Sequence, residues 1–190
     1  MRIIAGEHRG RKLEPPPGET TRPITDRAKQ SLFDVLTPLL PNARVADLFC
    51  GTGSMGLECL SRGALDAVFF DADRGALAAL HRNIAALKVQ DSTHVVAGDL
   101  FRLAPATLGP AGRDLIFLDP PYRFVNEQPE HLQDLALRLA SSLTPTGLLI
   151  FRHDTNDRLA LPSLLVTRTL TFGNMTIELL SPLPPLPPAG

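Results

Sequence analysis

The stretch DLFCGTGSMG, residues 47–56, joins an apolar run to a segment of small residues, and it decides the fold. Its glycines Gly51, Gly53 and Gly56 form the pattern G-x-G-x-x-G directly after RVADLF, residues 44–49, which is typical of a strand. Glycine at these positions permits a tight turn, lets a ligand approach the backbone, and leaves helix-terminal amides directed at that ligand. The stretch therefore predicts a strand, a turn and a helix that together bind a nucleoside-containing cofactor.

Strand and helix patterns alternate along the chain from this turn onward. Short β-branched or aromatic runs predict strands, and apolar residues spaced three and four apart predict helices. Because apolar strands of this kind must be covered on both faces, the alternation predicts an α/β, Rossmann-like fold with a doubly wound, mostly parallel sheet. The predicted helices are residues 54–63, 73–88 and 130–143, and the further strands are 67–71, 93–98, 114–119 and 147–153, followed by a closing hairpin over 164–180.

The amino-terminal residues are expected to form a small element attached to this domain. Two mixed runs in residues 2–14 surround Gly6 and Gly10 and predict a hairpin, and PPPGETTRP, residues 15–23, is typical of an irregular linker. A helix capped by Thr25 or Asp26 then ends at Pro38. We therefore predict three regions, which are a hairpin with its linker (1–24), the main domain (25–181) and a disordered Pro-rich tail (182–190).

Charge is distributed unevenly along the 190 residues, whose net charge is −1. Residues 1–30 hold seven Lys and Arg against four Asp and Glu, a net charge of +3, so the remainder carries −4. A basic edge on an acidic body suits a polyanionic partner. No apolar run approaches the roughly 20 residues that span a bilayer, and no signal-peptide pattern is present, so we expect a cytoplasmic protein without a membrane partner. Cys50 and Cys59 fit no zinc pattern, and we expect no metal site.

Carboxylates close three of the predicted strands, and their positions bear on the cofactor. Asp71 ends the second strand 20 residues after Gly51, where it can accept hydrogen bonds from both hydroxyls of a ribose. Asp47 precedes the glycines, where its charge would repel a pyrophosphate but could hold an ammonium group. Asp99 ends the third strand and can accept from an adenine amino group. These positions favour S-adenosylmethionine, although G-x-G-x-x-G also describes sites for nicotinamide dinucleotides.

A second motif follows the apolar run DLIFL, residues 114–118, which ends in Asp119, Pro120, Pro121 and the only tyrosine, Tyr122. Ligands bind beyond the carboxyl ends of the strands in an open α/β sheet, so the motif should share the cofactor's site. The lone pair of an exocyclic base amine is delocalised, but Asp119 and the Pro120 carbonyl can each accept one of its hydrogens and draw the nitrogen toward tetrahedral geometry. Two prolines fix the direction of that carbonyl, and Tyr122 offers a face to a flipped base.

Together these segments resemble a known family. DLFCGTGSMGLECLSRGA, FFDADR, GDLF and FLDPPY, preceded by RIIAGEHRGRKL and TRPITDRAKQSLF, are similar to the bacterial RsmD family, the 16S ribosomal RNA guanine-N2 methyltransferases. The likeness runs from Arg2 to about Leu180. It implies a class I methyltransferase fold with a seven-stranded sheet, S-adenosylmethionine as the cofactor, and 16S ribosomal RNA or an assembling small subunit as the partner.

The resemblance also implies roles for three sets of residues. The target amine is held by the motif Asp119, Pro120, Pro121 and Tyr122. The cofactor is bound by Asp47, Gly51, Thr52, Gly53, Asp71, Ala72, Asp99 and Leu100. The RNA entrance is surrounded by Arg22, Thr25, Arg27 and the basic hairpin. From the charge of the amino-terminal region, phosphate contacts are expected from Arg9, Arg11, Lys12, Arg22, Arg27 and Lys29. The chain departs from the family at Cys50, at Gln30 and in FRHD, residues 151–154, where an acidic residue often follows the fifth strand.

Three other functions remain open at this point. An adenine-N6 methyltransferase acting on DNA or RNA would share the motif D-P-P-Y, but the chain has no sizeable insertion for reading a DNA sequence. A nicotinamide-dependent dehydrogenase would need a second catalytic domain and an acid-base histidine, and neither is evident. A noncatalytic RNA-binding module would not need all four residues from Asp119 to Tyr122. We expect the protein to be a monomer.

Overall fold

The computed structural model describes residues 1–15, 24–109 and 112–183. Seven strands form one sheet in the order β3-β2-β1-β4-β5-β7-β6. Strands β1 to β5 are parallel, and β7 runs antiparallel to both β5 and β6. The direction of winding reverses between β1 and β4, which is where ligands bind in open α/β sheets. The strands are β1 (Arg44–Leu48), β2 (Asp66–Asp71), β3 (Thr93–Ala97), β4 (Arg113–Leu118), β5 (Leu143–Asp154), β6 (Leu164–Phe172) and β7 (Met175–Pro182).

Helices cover both faces of this sheet. One face packs against α1 (Asp26–Leu36), α2 (Ser54–Ser61) and α3 (Arg74–Leu87), and the other against α4 (Arg123–Glu127) and α5 (Pro129–Ala140). Along β1 the side chains alternate, so Val45 lies in the first core while Ala46 and Leu48 lie in the second. The predicted seven-stranded Rossmann-like fold is confirmed. Single 3-10 turns are formed by Thr37–Leu39, Gln90–Ser92, Leu100–Arg102 and Pro105–Leu108.

Element boundaries agree with the sequence patterns except where a short turn intervenes. Thr25 caps α1, since its Oγ1 accepts from the Ala28 amide at 3.2 Å, and α1 ends at Leu36, just before the 3-10 turn that contains Pro38. The prediction of a helix reaching Leu143 was wrong, because α5 ends at Ala140 and Leu143 already begins β5. The short helix α4 was not predicted.

The amino-terminal segment is packed into the domain core. The two predicted runs form a short antiparallel hairpin, with a bridge between Arg2 and Lys12. Its backbone hydrogen bonds run from the Ile3 amide to the Arg11 carbonyl at 2.9 Å, from Gly10 to Ile3 at 2.9 Å and from Leu13 to Met1 at 3.1 Å. Ile3 and Leu13 are buried in the same core as α1 to α3. At Gly6 (φ +83°) a Cβ atom would lie 1.8 Å from the Ser61 carbonyl oxygen, so only glycine lets the segment lie this close to α2.

Some predicted features lie outside the described residues. The linker residues 16–23, which include Arg22, are among them, and so are residues 184–190 of the predicted tail. Pro182, where that tail was predicted to begin, instead ends β7. The helices of the described ranges include none that is both long and apolar enough to cross a bilayer.

Candidate active site

The glycine turn between β1 and α2 forms the floor of the site. Gly53 has φ +81° and precedes α2, and a Cβ atom there would lie 2.4 Å from the Leu80 side chain. At Gly56 a Cβ atom would lie 2.4 Å from the Phe69 ring. The two glycines therefore let α2 pack tightly on the sheet, with its first turn at the carboxyl end of β1. Thr52 is buried, and its hydroxyl has no hydrogen-bond partner among the described residues, which leaves a polar atom free for a ligand.

Asp47 lies beneath this turn and is almost completely buried. Its Oδ2 accepts from the Gly56 amide at 2.8 Å, which ties the end of β1 to α2. The pKa of Asp47 is raised to about 8, chiefly by burial and also by the nearby carboxylates of Asp119 and Asp71, while the Gly56 amide opposes the shift. A cationic ligand group beside Asp47 would favour its ionised form and lower this pKa, so the two charges would then pair.

The other two carboxylates predicted to bind the cofactor lie at the ends of β2 and β3. Asp71 accepts from the Gly51 amide at 2.7 Å and from the Asp73 amide at 2.9 Å, so it also shapes the glycine turn. Asp99 accepts from the Phe101 amide at 3.0 Å and caps the following 3-10 turn. Each carboxylate oxygen keeps a second lone pair for a ligand. Beside them, Ala72 is exposed and Leu100 is buried.

The motif D-P-P-Y follows β4, which is the neighbour of β1 in the sheet. The Asp119 amide approaches the Leu48 carbonyl at 3.4 Å, and the Phe124 amide donates to the Pro121 carbonyl at 2.8 Å, so the chain turns from the strand into α4. No group of the described residues donates to the carbonyl of Pro120. Asp119 and this carbonyl therefore lie together beside the glycine turn, with the carbonyl open as an acceptor.

Arg152 is a residue of the site that the motif analysis missed. Its Nε donates to Asp119 Oδ1 at 2.6 Å, and its guanidinium carbon lies 5.7 Å from the centroid of the Tyr122 ring. Burial by itself lowers the pKa of Arg152, but Asp119, together with Tyr122 and Asp47, raises it by more, so the side chain stays charged. The only signal in the sequence was the departure FRHD at the end of the fifth strand.

An aromatic cluster, formed by Phe49, Phe101, Phe124 and His131, borders the site. The ring centroid of Phe49 lies 6.2 Å from that of Phe101 and 6.0 Å from that of Phe124, both in edge-to-face arrangements, and the tilted His131 ring lies 5.3 Å from Phe101. Phe49 adopts φ +55°, which ends β1 and turns its ring away from the strand's regular path. The cluster provides an aromatic, largely apolar wall against which a base could pack by face or edge. The sequence analysis did not predict it, because its members come from four separate segments.

The residues predicted to contact RNA are not all on the surface. The prediction for Lys29 was wrong, because this side chain is buried and its Nζ lies 2.9 Å from Glu58 Oε2. Arg9, Lys12 and Arg27 are exposed. Arg11 is also exposed, but it donates to the Ala86 carbonyl at 2.8 Å in the last turn of α3. Because α3 runs antiparallel to the strands, its last turn lies near the amino-terminal ends of the strands, whereas the glycine turn lies at their carboxyl ends.

Comparison with known proteins agrees with this geometry. A protein family described as "Conserved hypothetical protein 95" matches residues 1–181. The Bacillus subtilis protein "Putative rRNA methyltransferase YlbH" is 34% identical over 176 residues, which cover 91% of this chain and 94% of that protein. The Escherichia coli "Ribosomal RNA small subunit methyltransferase D" is 38% identical over 123 residues, which cover 65% of this chain and 61% of that protein.

The chain belongs to the RsmD family of methyltransferases. A solved Escherichia coli structure described as "Putative methyltransferase yhhF" shares its fold with a TM-score of 0.76 and 32% identity, and the match covers 96% of this chain and 97% of the other. The family match includes the glycine turn and the D-P-P-Y motif, so both lie in the methyltransferase domain itself. The described residues contain no group of three or more His, Cys, Asp or Glu side chains that could hold a metal ion.

Proposed function

We propose that this methyltransferase transfers the methyl group of S-adenosylmethionine to the exocyclic N2 amine of a guanine in 16S ribosomal RNA. The observation that carries the proposal is the pair of acceptors, Asp119 and the Pro120 carbonyl, at the end of β4 next to the glycine turn of β1. The relatives named as ribosomal RNA methyltransferases support the RNA substrate.

The side chains around the turn fit the proposed cofactor. Asp47 faces a cationic ammonium, the unpartnered Thr52 hydroxyl and the α2 amides suit a carboxylate, and Asp71 suits a ribose. Asp99, with its neighbours Ala72 and Leu100 and the aromatic cluster, suits an adenine ring. When bound, S-adenosylmethionine would supply an electrophilic methyl group, and breaking its S–CH3 bond would leave the neutral thioether of S-adenosylhomocysteine. The proposal needs no metal ion.

The chain's own part in the chemistry is to hold and orient the target amine. Asp119 and the Pro120 carbonyl each accept one amine hydrogen, which directs the nitrogen lone pair away from the base plane and toward the methyl group. Tyr122 supports the flipped base by stacking. The product then carries one more carbon on N2, and the surplus proton leaves from the amine nitrogen to an acceptor at the site or to water.

A second candidate is methylation of adenine N6, since an adenine amine presents the same two hydrogens to Asp119. The pocket residues alone do not separate the two bases. We favour guanine because of the resemblance in the amino-terminal segments, which contact the glycine turn through Glu14 and Asn83. We also propose that the protein acts in the cytoplasm as a monomer on the ribosomal RNA or the assembling subunit.

Digestion of methylated RNA to nucleosides tests the proposal directly. Purified protein is incubated with isotope-labelled S-adenosylmethionine and either naked 16S ribosomal RNA or small subunits, and the nucleosides are separated by mass spectrometry. We expect labelled N2-methylguanosine from the wild type and a loss on the order of a hundredfold for Asp119→Ala, with cofactor affinity by calorimetry changed much less. If the labelled nucleoside is N6-methyladenosine, the target base is adenine and not guanine. If Asp119→Ala transfers methyl groups as fast as the wild type, the proposed role of Asp119 is wrong.

A further inference from the structure

Arg152 and Asp119 lie side by side on neighbouring strands at the centre of the site. Leu118 on β4 is in register with Phe151 on β5, so the next residues, Asp119 and Arg152, project from the same face of the sheet. Both side chains are mostly enclosed, with 13% of Arg152 and 22% of Asp119 exposed. A charged pair in this position, with a short contact of 2.6 Å, limits how the Asp119 carboxylate can rotate.

The contact engages only one of the two carboxylate oxygens. Oδ1 accepts from Arg152 Nε, whereas no group of the described residues donates to Oδ2. Because part of Asp119 is exposed, Oδ2 can receive a donor from the site opening. One carboxylate oxygen is therefore fixed by Arg152, and the other can accept a hydrogen bond from the amine. A residue that orients an amine requires this arrangement.

The guanidinium is itself held from a second direction. Nη1 of Arg152 lies 3.7 Å from Sδ of Met175 on β7, and the same guanidinium packs over one face of the Tyr122 ring. One side chain on a rigid strand therefore contacts both ends of the D-P-P-Y motif. We propose, on the basis of the proposed amine methyltransferase function, that Arg152 is a positioning residue that aims Asp119 Oδ2 at the target amine and fixes the Tyr122 ring against which the base stacks.

A different role is conceivable for the same contacts, and it predicts the opposite kinetics. The planar guanidinium touches the two groups that the target base would touch, so it could occupy the base's place and have to leave before RNA binds. Removal of such a blocking side chain would lower KM for RNA or raise kcat. Removal of a positioning residue lowers kcat, because a misplacement of about 1 Å at a reacting group costs on the order of a hundredfold in rate.

The test compares Arg152→Gln and Arg152→Lys with the wild type, with Arg168→Gln on the outer strand β6 as the matched control. Arg168 is exposed and lies two strands beyond β5, so its loss leaves the site unchanged. Thermal unfolding confirms that each variant folds. We expect Arg152→Gln to lower kcat about 10- to 100-fold, with the affinity for S-adenosylmethionine changed about twofold or less, and Arg152→Lys to recover part of the loss.

A double-mutant cycle with Asp119→Ala separates positioning from a general structural effect. If Arg152 acts through Asp119, then Arg152→Gln should cost about threefold or less in an Asp119→Ala background in single-turnover assays. A full additive loss, wild-type kcat in Arg152→Gln, or a faster variant with lower KM for RNA would each overturn the inference. The product formed by the wild type distinguishes failure of the guanine assignment from failure of the Arg152 proposal. If the product is N6-methyladenosine, the guanine assignment is wrong, and the Arg152 variants are compared with the wild type on that product instead. If the wild type transfers no methyl group, both proposals are wrong.

Discussion

The raised pKa of Asp47 makes the stability of the folded protein depend on pH. The carboxyl group of Asp47 has a pKa of about 8 instead of the ordinary 3.8, chiefly because burial removes it from water. Between these two values the folded protein holds a proton that the unfolded chain has released. The free energy of unfolding therefore falls as pH rises through this range, by up to about 1.4 kcal/mol per pH unit.

Asp47→Asn should abolish that dependence. Asn cannot ionise, and its side-chain oxygen can still accept from the Gly56 amide, so the variant should become more stable than the wild type as pH rises from about 4 to about 8, with a constant difference above that range. The variant should also bind S-adenosylmethionine more weakly, because a neutral amide pairs poorly with an ammonium. Urea unfolding at several pH values, with the exposed Asp91→Asn as control, measures the difference. A stability difference that does not change with pH would contradict the raised pKa.

Site residues could be predicted from the sequence when a local motif carried them. Gly53 and Gly56 were predictable because their spacing follows directly from the close approach of α2 to the sheet, and Asp119 because it ends a strand next to β1. Arg152 was not, since its role depends on the register between β4 and β5, which are far apart in sequence. Lys29 was assigned to the surface from its charge alone, although its position on α1 faces the core.

At the scale of elements, a buried charged network joins the amino-terminal segment to α1 and α2. Glu58 on α2 is fully buried and accepts from Lys29 Nζ at 2.9 Å, from Arg62 Nε at 2.8 Å, and from the amides of Ile4 and Ala5 at 2.8 and 3.0 Å. Burial by itself raises the pKa of Glu58, but Lys29 and these donors lower it by more, so the carboxylate stays ionised. Removal of residues 1–14 would expose this network and part of the core, so such a deletion would test folding and not RNA binding.

Glu58→Gln should destabilise the protein strongly. The change leaves Lys29 buried without its counter-charge, and breaking a buried pair from one side costs about 3–5 kcal/mol. The double variant Lys29→Met, Glu58→Gln should cost less than the sum of the single changes, because neither charge is then left unpaired. Urea unfolding of the three proteins gives the coupling energy. If the costs simply add, the pair does not anchor the segment.

The order of the elements was predictable, whereas their exact ends were not. Alternating apolar strands and amphipathic helices specify a doubly wound sheet, because each pattern can bury its apolar side in only one way. The short helix α4 has no apolar stripe of its own, and it forms because the prolines and Tyr122 turn the chain at the end of β4. The position of the amino-terminal segment likewise follows from contacts with α2, made by the amides of Ile4, Ala5 and Glu7, which no local pattern contains.

For the whole molecule, the exposed basic residues of the amino-terminal region lie in two groups, one near the carboxyl ends of the parallel strands and one near their amino-terminal ends. Arg27 lies in the first turn of α1, and two positions further on, Lys29 contacts Ser54 at the start of α2. Lys12 is followed by Glu14, whose amide donates to Asn83, and Asn83 donates to the Thr52 carbonyl. These contacts place Arg27 and Lys12 on the side of the glycine turn, whereas the loop with Arg9 lies against the end of α2, where the Glu7 amide donates to the Ser61 carbonyl.

RNA that delivers a base to the site should therefore depend more on Lys12 and Arg27 than on Arg9. Each phosphate contact contributes counterion release, so Lys12→Glu and Arg27→Glu should weaken methyl transfer to ribosomal RNA and lower the salt dependence of RNA binding by about one unit of slope each, while calorimetry shows unchanged S-adenosylmethionine binding. Arg9→Glu should have a smaller effect, and Arg168→Glu on β6 provides a charge-matched control. Fluorescence titration of labelled RNA at several salt concentrations measures the slopes. If Arg9→Glu weakens RNA binding more than Lys12→Glu and Arg27→Glu do, RNA binds on the side of Arg9 and the end of α2. The assignment of RNA binding to the side of the glycine turn is then wrong.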